Sequence, residues 1–260
     1  MTADKPALVM PFYDPDSTLF QHLQKMLPDI KDHFGRAYLT IPDKPTQRQA
    51  EEVRMLQVDD FFSLYPISPA SLVGDHFAHL YRQTAQDSDP EQVLHLCFPD
   101  RFSFAMCTDC RQDFLTDIDS LLPEQLPLIF QRSADAWVTH PKNYFELESF
   151  VANIGQTLFG KRLDYAWCHL VIQAKLLREI MPFIKRHDLS MVAEMILQIQ
   201  ANVKTREVDW LAWEDPFILG RDADEIKNER GHSLEETQKR LSYVLPMVDL
   251  LTKFAVNGKG

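Results

Sequence analysis

Short apolar runs alternate with stretches of helical spacing through the first half of this chain, and few folds accept that order. Ala7-Leu8-Val9-Met10 is closed by Pro11 and the turn-rich Tyr13-Asp14-Pro15-Asp16, the pattern of a buried strand entering a loop. Ser17 or Thr18 is placed to cap a helix in which Leu19, Leu23, Met26, Leu27 and Ile30 keep helical spacing, with a kink expected at Pro28. Residues 36–41 read as a second strand stopped by Pro42, 46–57 as a helix and 61–65 as a third strand. A helix around 71–85, a strand at 93–98, a helix over 104–115 and a short strand at 128–130 continue the series. Repeated strand–helix units predict an α/β fold, a mainly parallel sheet flanked by helices, with Val9, Leu39, Leu94 and Leu96 buried in its strands.

After Pro141 the pattern turns to long helices, over 143–158, 165–186 and 189–202. A last helix opens at Ser233, with Glu236 in the arrangement of a capping box. No internal repeat, low-complexity segment or linker interrupts the 260 residues. One α/β domain over 1–260 is expected, with a helical C-terminal part from about 217 to 260.

Composition narrows the function. Hydrophobic residues make up 45% of the chain, enough for a large core without disulfide or metal staples. The formal charge of -11, from 27 basic and 38 acidic side chains, argues against a nucleic-acid binder, which needs clustered Lys and Arg. Met1-Thr2-Ala3-Asp4-Lys5-Pro6 lacks the layout of a secretory leader, and no apolar run reaches the ~18 residues of a membrane span. Cys97, Cys107, Cys110 and Cys168 lie in apolar or helix-like stretches, as reduced thiols do, so a cytoplasmic location is expected. With 8 glycines, neither a P-loop nor a dinucleotide fingerprint can be drawn, and no nucleophile elbow or His-Glu-x-x-His is present.

In open parallel sheets, ligands bind beyond the carboxyl ends of the strands. That directs attention to Tyr13-Asp14, Thr40 and Pro99-Asp100-Arg101. Asp100, directly after a buried strand, is placed to hold a divalent cation bridging two phosphates, with Arg101 answering phosphate charge or orienting Asp100. The alternative is a structural ion pair at a strand end. Arg132 and His140 can serve a phosphate or sugar, unless Arg132 ties its loop to Glu146 or Glu148. Cys107-Thr108-Asp109-Cys110 lacks the second pair that a zinc site needs and reads as two helix thiols one turn apart. Asp222-Ala223-Asp224 follows no buried strand and reads as a solvated helix start.

The order of a strand with Pro-Phe-Tyr-Asp, a strand with Leu-Thr-Ile-Pro and a strand with Cys-Phe-Pro-Asp-Arg resembles GT-A-type glycosyltransferases, the nucleotide-diphospho-sugar transferase superfamily. Arg132-Ser133, Ala136, Thr139-His140-Pro141, Glu146, Glu148, Asn153 and Phe159-Gly160 are similar to a bacterial branch of that superfamily, as are Ala193-Glu194 and Leu211-Ala212-Trp213-Glu214. The likeness is scattered over most of residues 7 to 216.

The resemblance implies a GT-A, nucleotide-diphospho-sugar transferase-like fold that moves a sugar from a nucleotide-sugar donor to an unknown acceptor. On that basis Tyr13, Asp14, Arg101, Arg132 and His140 face the nucleotide, and Asp100 is the second acid of a metal-binding Asp-x-Asp. Glu194 is the candidate catalytic base. The chain departs from the pattern at Phe98, which stands where the first acid belongs and weakens any Mn²⁺ or Mg²⁺ site. Two other readings stand beside this one: a catalytically silent nucleotide- or protein-binding scaffold of the same fold, and an unrelated α/β enzyme.

Overall fold

The computed structural model describes residues 5–257; residues 1–4, part of the stretch read above for a leader, and 258–260 lie outside them. The first half follows the alternation: β1 (Ala7–Met10), α1 (Thr18–His33), β2 (Arg36–Pro42), α2 (Gln47–Gln57), β3 (Phe62–Ile67), α3 (Val73–Asp87) and β4 (Val93–Cys97). Then come α4 (Pro99–Cys107), α5 (Arg111–Asp119), β5 (Leu128–Arg132), α6 (Ala134–Thr139) and α7 (Lys142–Phe159). The rest comprises β6 (His169–Gln173), α8 (Ala174–Ile180), α9 (Met191–Ile199), β7 (Lys204–Val208), α10 (Asp215–Leu219), α11 (Ala223–Gly231) and α12 (Leu234–Asn257). No helix among the described residues is long and apolar enough to cross a membrane.

The seven strands form one sheet in the order β3-β2-β1-β4-β6-β5-β7. All neighbours are parallel except β6, which runs antiparallel to β4 and β5. From β1 the chain winds outward through β2 to β3, then returns to place β4 on the other side of β1. The crevice between the carboxyl ends of β1 and β4 is therefore a topological switch point, the usual ligand position in such sheets.

Because strand side chains alternate, each strand feeds two cores. Val9, Leu94, Leu96, Leu170 and Ile172 pack with residues of α3, α8, α9 and α12 on one face. Leu8, Met10, Leu39, Cys97 and Val171 pack with residues of α1, α4 and α5 on the other. Val9, Leu39, Leu94 and Leu96 are all fully buried, as expected from the apolar runs.

Three local expectations need correction, and one strand escaped the sequence reading. The stretch 165–186 is not one helix but contains β6, α8 and a 3-10 turn. His169 to Ile172 are buried on both faces, so no polar alternation marks the strand, and periodicity alone cannot separate it from a buried helix. Lys204–Val208 was invisible for the opposite reason: it is a charged edge strand, exposed at three of its five positions. The expected helix over 104–115 is two helices, since Thr108 is extended and Cys110 sits at the start of α5. Cys107 and Cys110 therefore flank a helix corner rather than lying one turn apart on one helix. Finally, Ser17 (φ 64°) makes no side-chain cap for α1, which includes Pro28.

Candidate functional site

The loop leaving β1 is shaped by Asp14. One carboxylate oxygen accepts the backbone N–H of Phe20 at 2.7 Å and the other that of Leu19 at 3.2 Å, so Asp14 takes the capping role for α1. Burial raises its pKa, against the pull of those two amides. Asp14→Ala should lower stability by about 1–2 kcal/mol through the lost amide partners, and Asp14→Asn by less. Urea midpoints of the two variants check this, and equal loss in both would point to charge rather than capping.

Beside that loop lies a cavity of about 520 Å³, enclosed by the carboxyl ends of β1, β2 and β3 and by residues of α1, α2 and α3. Tyr13, Asp14, Thr40, Gln49, Glu52 and His76 supply much of its polar wall. Thr40 donates its hydroxyl to the Phe12 carbonyl at 3.2 Å and lies 2.6 Å from His76 Nε2. With the Thr40 proton committed to Phe12, His76 donates from Nε2, which leaves Nδ1 as an acceptor. Burial pushes the His76 pKa down to about 4, so the ring is neutral at pH 7. Tyr13 is 58% exposed at the mouth, a free aromatic face beside a wall of donors and acceptors. That lining suits a planar heteroaromatic ligand.

At the end of β4, Phe98 turns into the core, its ring 5.0 Å from Phe77 and 6.2 Å from Trp167. The position where the resemblance leads us to expect an acid is thus filled by packing. Asp100 lies in the first turn of α4 and accepts the Arg101 N–H at 2.8 Å. Burial raises its pKa. Arg101 is not free: it pairs with Glu214, and its Nη1 lies 3.3 Å from both the Ala212 carbonyl and His140 Nε2. Burial pushes Glu214 up to about 8 against the pull of Arg101, with Asp100 and Asp215 adding to the rise. His140 Nδ1 donates to the Ala136 carbonyl at 3.0 Å, so Nε2 is the acceptor facing Arg101. Burial and the two neighbouring arginines hold this histidine neutral, well below its ordinary pKa.

At the end of β5, Arg132 is committed as well. It meets Glu148 at 2.7 Å and Asp164 at 2.8 Å, and its guanidinium stacks 3.6 Å from the Trp137 ring centroid. Glu148 is also held by Arg240 at 3.1 Å and by the Tyr243 hydroxyl at 2.8 Å. Burial pushes Glu148 up, but Arg132 and Arg240 overcome it and hold the carboxylate at about 2. Glu148 rather than Glu146 is the tie; Glu146 is exposed and pairs with Lys142. A second cavity, of about 590 Å³, opens beside Arg132, Trp137, His140, Phe145, Arg162 and Lys227.

The sequence-predicted residues therefore fall into three places. Tyr13 and Asp14 line the first cavity, and Arg132 and His140 the second. Asp100 and Arg101 stand at the switch point, with Arg101 bridging to His140. Glu194, on α9, lines neither cavity; its carboxylate accepts the N–H groups of Lys185 at 2.7 Å and Arg186 at 2.9 Å. Glu214 and His76 were not read from the sequence as site residues. Glu214 follows β7, the unrecognised edge strand, and recognising that strand would have drawn attention to it. Asp222 accepts the Glu225 N–H at 2.9 Å and caps α11, in keeping with a helix start.

No protein-family model matches the chain, and no curated protein sequence does. Among solved structures it is similar to a 4-diphosphocytidyl-2C-methyl-D-erythritol synthase, with a TM-score of 0.44 and 10% sequence identity over 86% of this chain and 98% of that one.

Proposed function

We propose that the chain is a nucleotide-binding transferase of the nucleotide-diphospho-sugar type, taking a nucleotide-sugar donor and passing the sugar to an acceptor. The observation that carries this reading is the 520 Å³ cavity at the carboxyl ends of β1, β2 and β3, beside the switch point between β1 and β4. In it the base lies between Tyr13 and the Thr40–His76 pair, and the diphosphate extends over the start of α4 toward Asp100.

The residues do not form a ready cation site. Phe98 is a core ring, Asp100 accepts from the amide that follows it, and Glu214 is paired with Arg101. A divalent cation, where present, would rest chiefly on the donor's own phosphates, with Asp100 as its one protein carboxylate.

A second reading, a silent scaffold, is favoured by one observation: Arg101 and Arg132, the two cations the sequence assigns to the nucleotide, are both engaged by buried acids. A thermal-shift panel of UDP-, GDP-, ADP- and dTDP-sugars, with and without Mn²⁺, separates the readings. One donor should raise the melting temperature by several degrees, and Val53→Trp, which fills the cavity from α2 without touching a hydrogen bond, should abolish that shift. Binding without release of nucleoside diphosphate selects the scaffold. If no donor shifts the melting temperature, the nucleotide reading is wrong.

A further inference from the structure

His95 and Cys97 are two residues apart on β4 and so face the same side of the sheet. Antiparallel pairing puts His169 of β6 directly opposite Cys97. Donor atoms of all three lie within 4.8 Å of one another, and among the described residues no other group of three His, Cys, Asp or Glu side chains meets that measure. All three are fully buried.

His95 Nε2 and His169 Nδ1 are 2.9 Å apart, and the second nitrogen of each ring is buried with no partner. Around them stand the rings of Phe34, Phe114, Phe130 and Trp210, with centroids 4.9–6.2 Å from one imidazole or the other. The two imidazoles and the thiol make one hydrogen bond in this aromatic core, and the two nitrogens that make it are the ones facing each other, placed to share an ion with the Cys97 sulfur. Strand residues hold these three in register, as a preorganised ligand set requires.

We propose that His95, Cys97 and His169 hold a single Cu(I) ion, tying β4 to β6 beneath the switch point. A soft thiolate with two borderline imidazoles is a donor set that suits copper, and three of them complete a trigonal shell without water. Charge decides between metals. The thiolate and a monovalent cation cancel, whereas Zn²⁺ would leave a net positive charge in an aromatic cage.

Burial raises the Cys97 thiol well above its ordinary pKa, so the thiol is protonated until the ion arrives. Loading forms the Cu–S bond, breaks the S–H bond and releases that proton to solvent, with no change of oxidation state. Two ring nitrogens bound to one ion at ~2.0 Å stand about 3.4 Å apart, so the rings open by roughly half an ångström from their present contact. Since none of the ligands reaches the surface, the ion enters as the chain folds and exchanges slowly afterwards.

The test uses the full chain carrying Cys107→Ser and Cys110→Ser, which removes the half-buried thiols at the helix corner as competing copper ligands. It is produced in cells supplied with copper and purified under reductant with bicinchoninate, a Cu(I) chelator. Elemental analysis should find about one copper per chain, and X-ray absorption on the same sample should show two nitrogen and one sulfur neighbours. Cys97→Ala and His169→Phe should each retain less than a tenth as much. The absorption spectrum needs no variant, so the assignment stays testable if these fold poorly. Copper stripped by the chelator, zinc retained in its place, or undiminished copper in Cys97→Ala would each overturn the proposal.

Discussion

Arg132→Ala should destabilise the protein by about 3–5 kcal/mol, the loss expected when one partner of a buried ion pair is removed and the other charges stay behind. Asp164 would be left without its cation and Glu148 with Arg240 and Tyr243 alone, at a site where the Arg132 side chain is only 3% exposed. The stacked contact with Trp137 would be lost as well. Lysine should rescue little, because one ammonium cannot reach Asp164 in the two-pronged geometry that Nε and Nη2 provide, at 3.0 Å to Oδ2 and 2.9 Å to Oδ1. Equilibrium urea unfolding of Arg132→Ala and Arg132→Lys measures this. A loss below 1 kcal/mol in the alanine variant would show that Arg240 and Tyr243 suffice for Glu148.

The second large effect is acid lability of the metal-free protein. Burial holds His95 down to about 3 and keeps His140 and His169 well below their ordinary pKa. In the unfolded chain all three titrate near 6.5. Above that pH both states are neutral and these groups do not affect stability. As the pH falls below it, the unfolded chain takes up protons that the folded chain refuses, so stability is lost progressively toward the low folded-state values. Each histidine contributes about 1.4 kcal/mol per pH unit in that window. Glu214 opposes them: its folded pKa is raised to about 8, so the folded state holds an extra proton between there and the ordinary carboxylate range. Asp14 and Asp100, whose pKa values burial also raises, act in the direction of Glu214, so the net loss below pH 6 stays under the three-histidine limit of about 4 kcal/mol per pH unit. His76, partly exposed, acts in the direction of the other histidines. Urea midpoints at pH 7.5, 6.0 and 5.0, with a chelator present, should fall steeply; a flat profile would mean that these rings are solvated and protonate in place.

Residues 7–10, 36–42 and 93–97 declared themselves as strands from sequence because their apolar runs are short and punctuated by Pro, Asp and Gly, signals carried within a few residues. The same local chemistry placed Asp14 and Asp100 after β1 and β4, at the carboxyl edge where the sheet gathers its loops. Other features depended on partners far along the chain. Whether His169 to Gln173 is strand or helix is decided by β4 and β5 closing on both sides of it, which no local pattern reports. Whether Arg101 is free for phosphate is decided by Glu214 and Ala212, the latter 111 residues away, and the state of Arg132 by Asp164, 32 residues on. A charge alternates, caps or repels according to its near neighbours, but its availability depends on what the fold brings against it. Patterning is a property of adjacent residues and is written in the sequence; the neutralisation of buried charge is a property of the packed interior, and only the tertiary structure sets it.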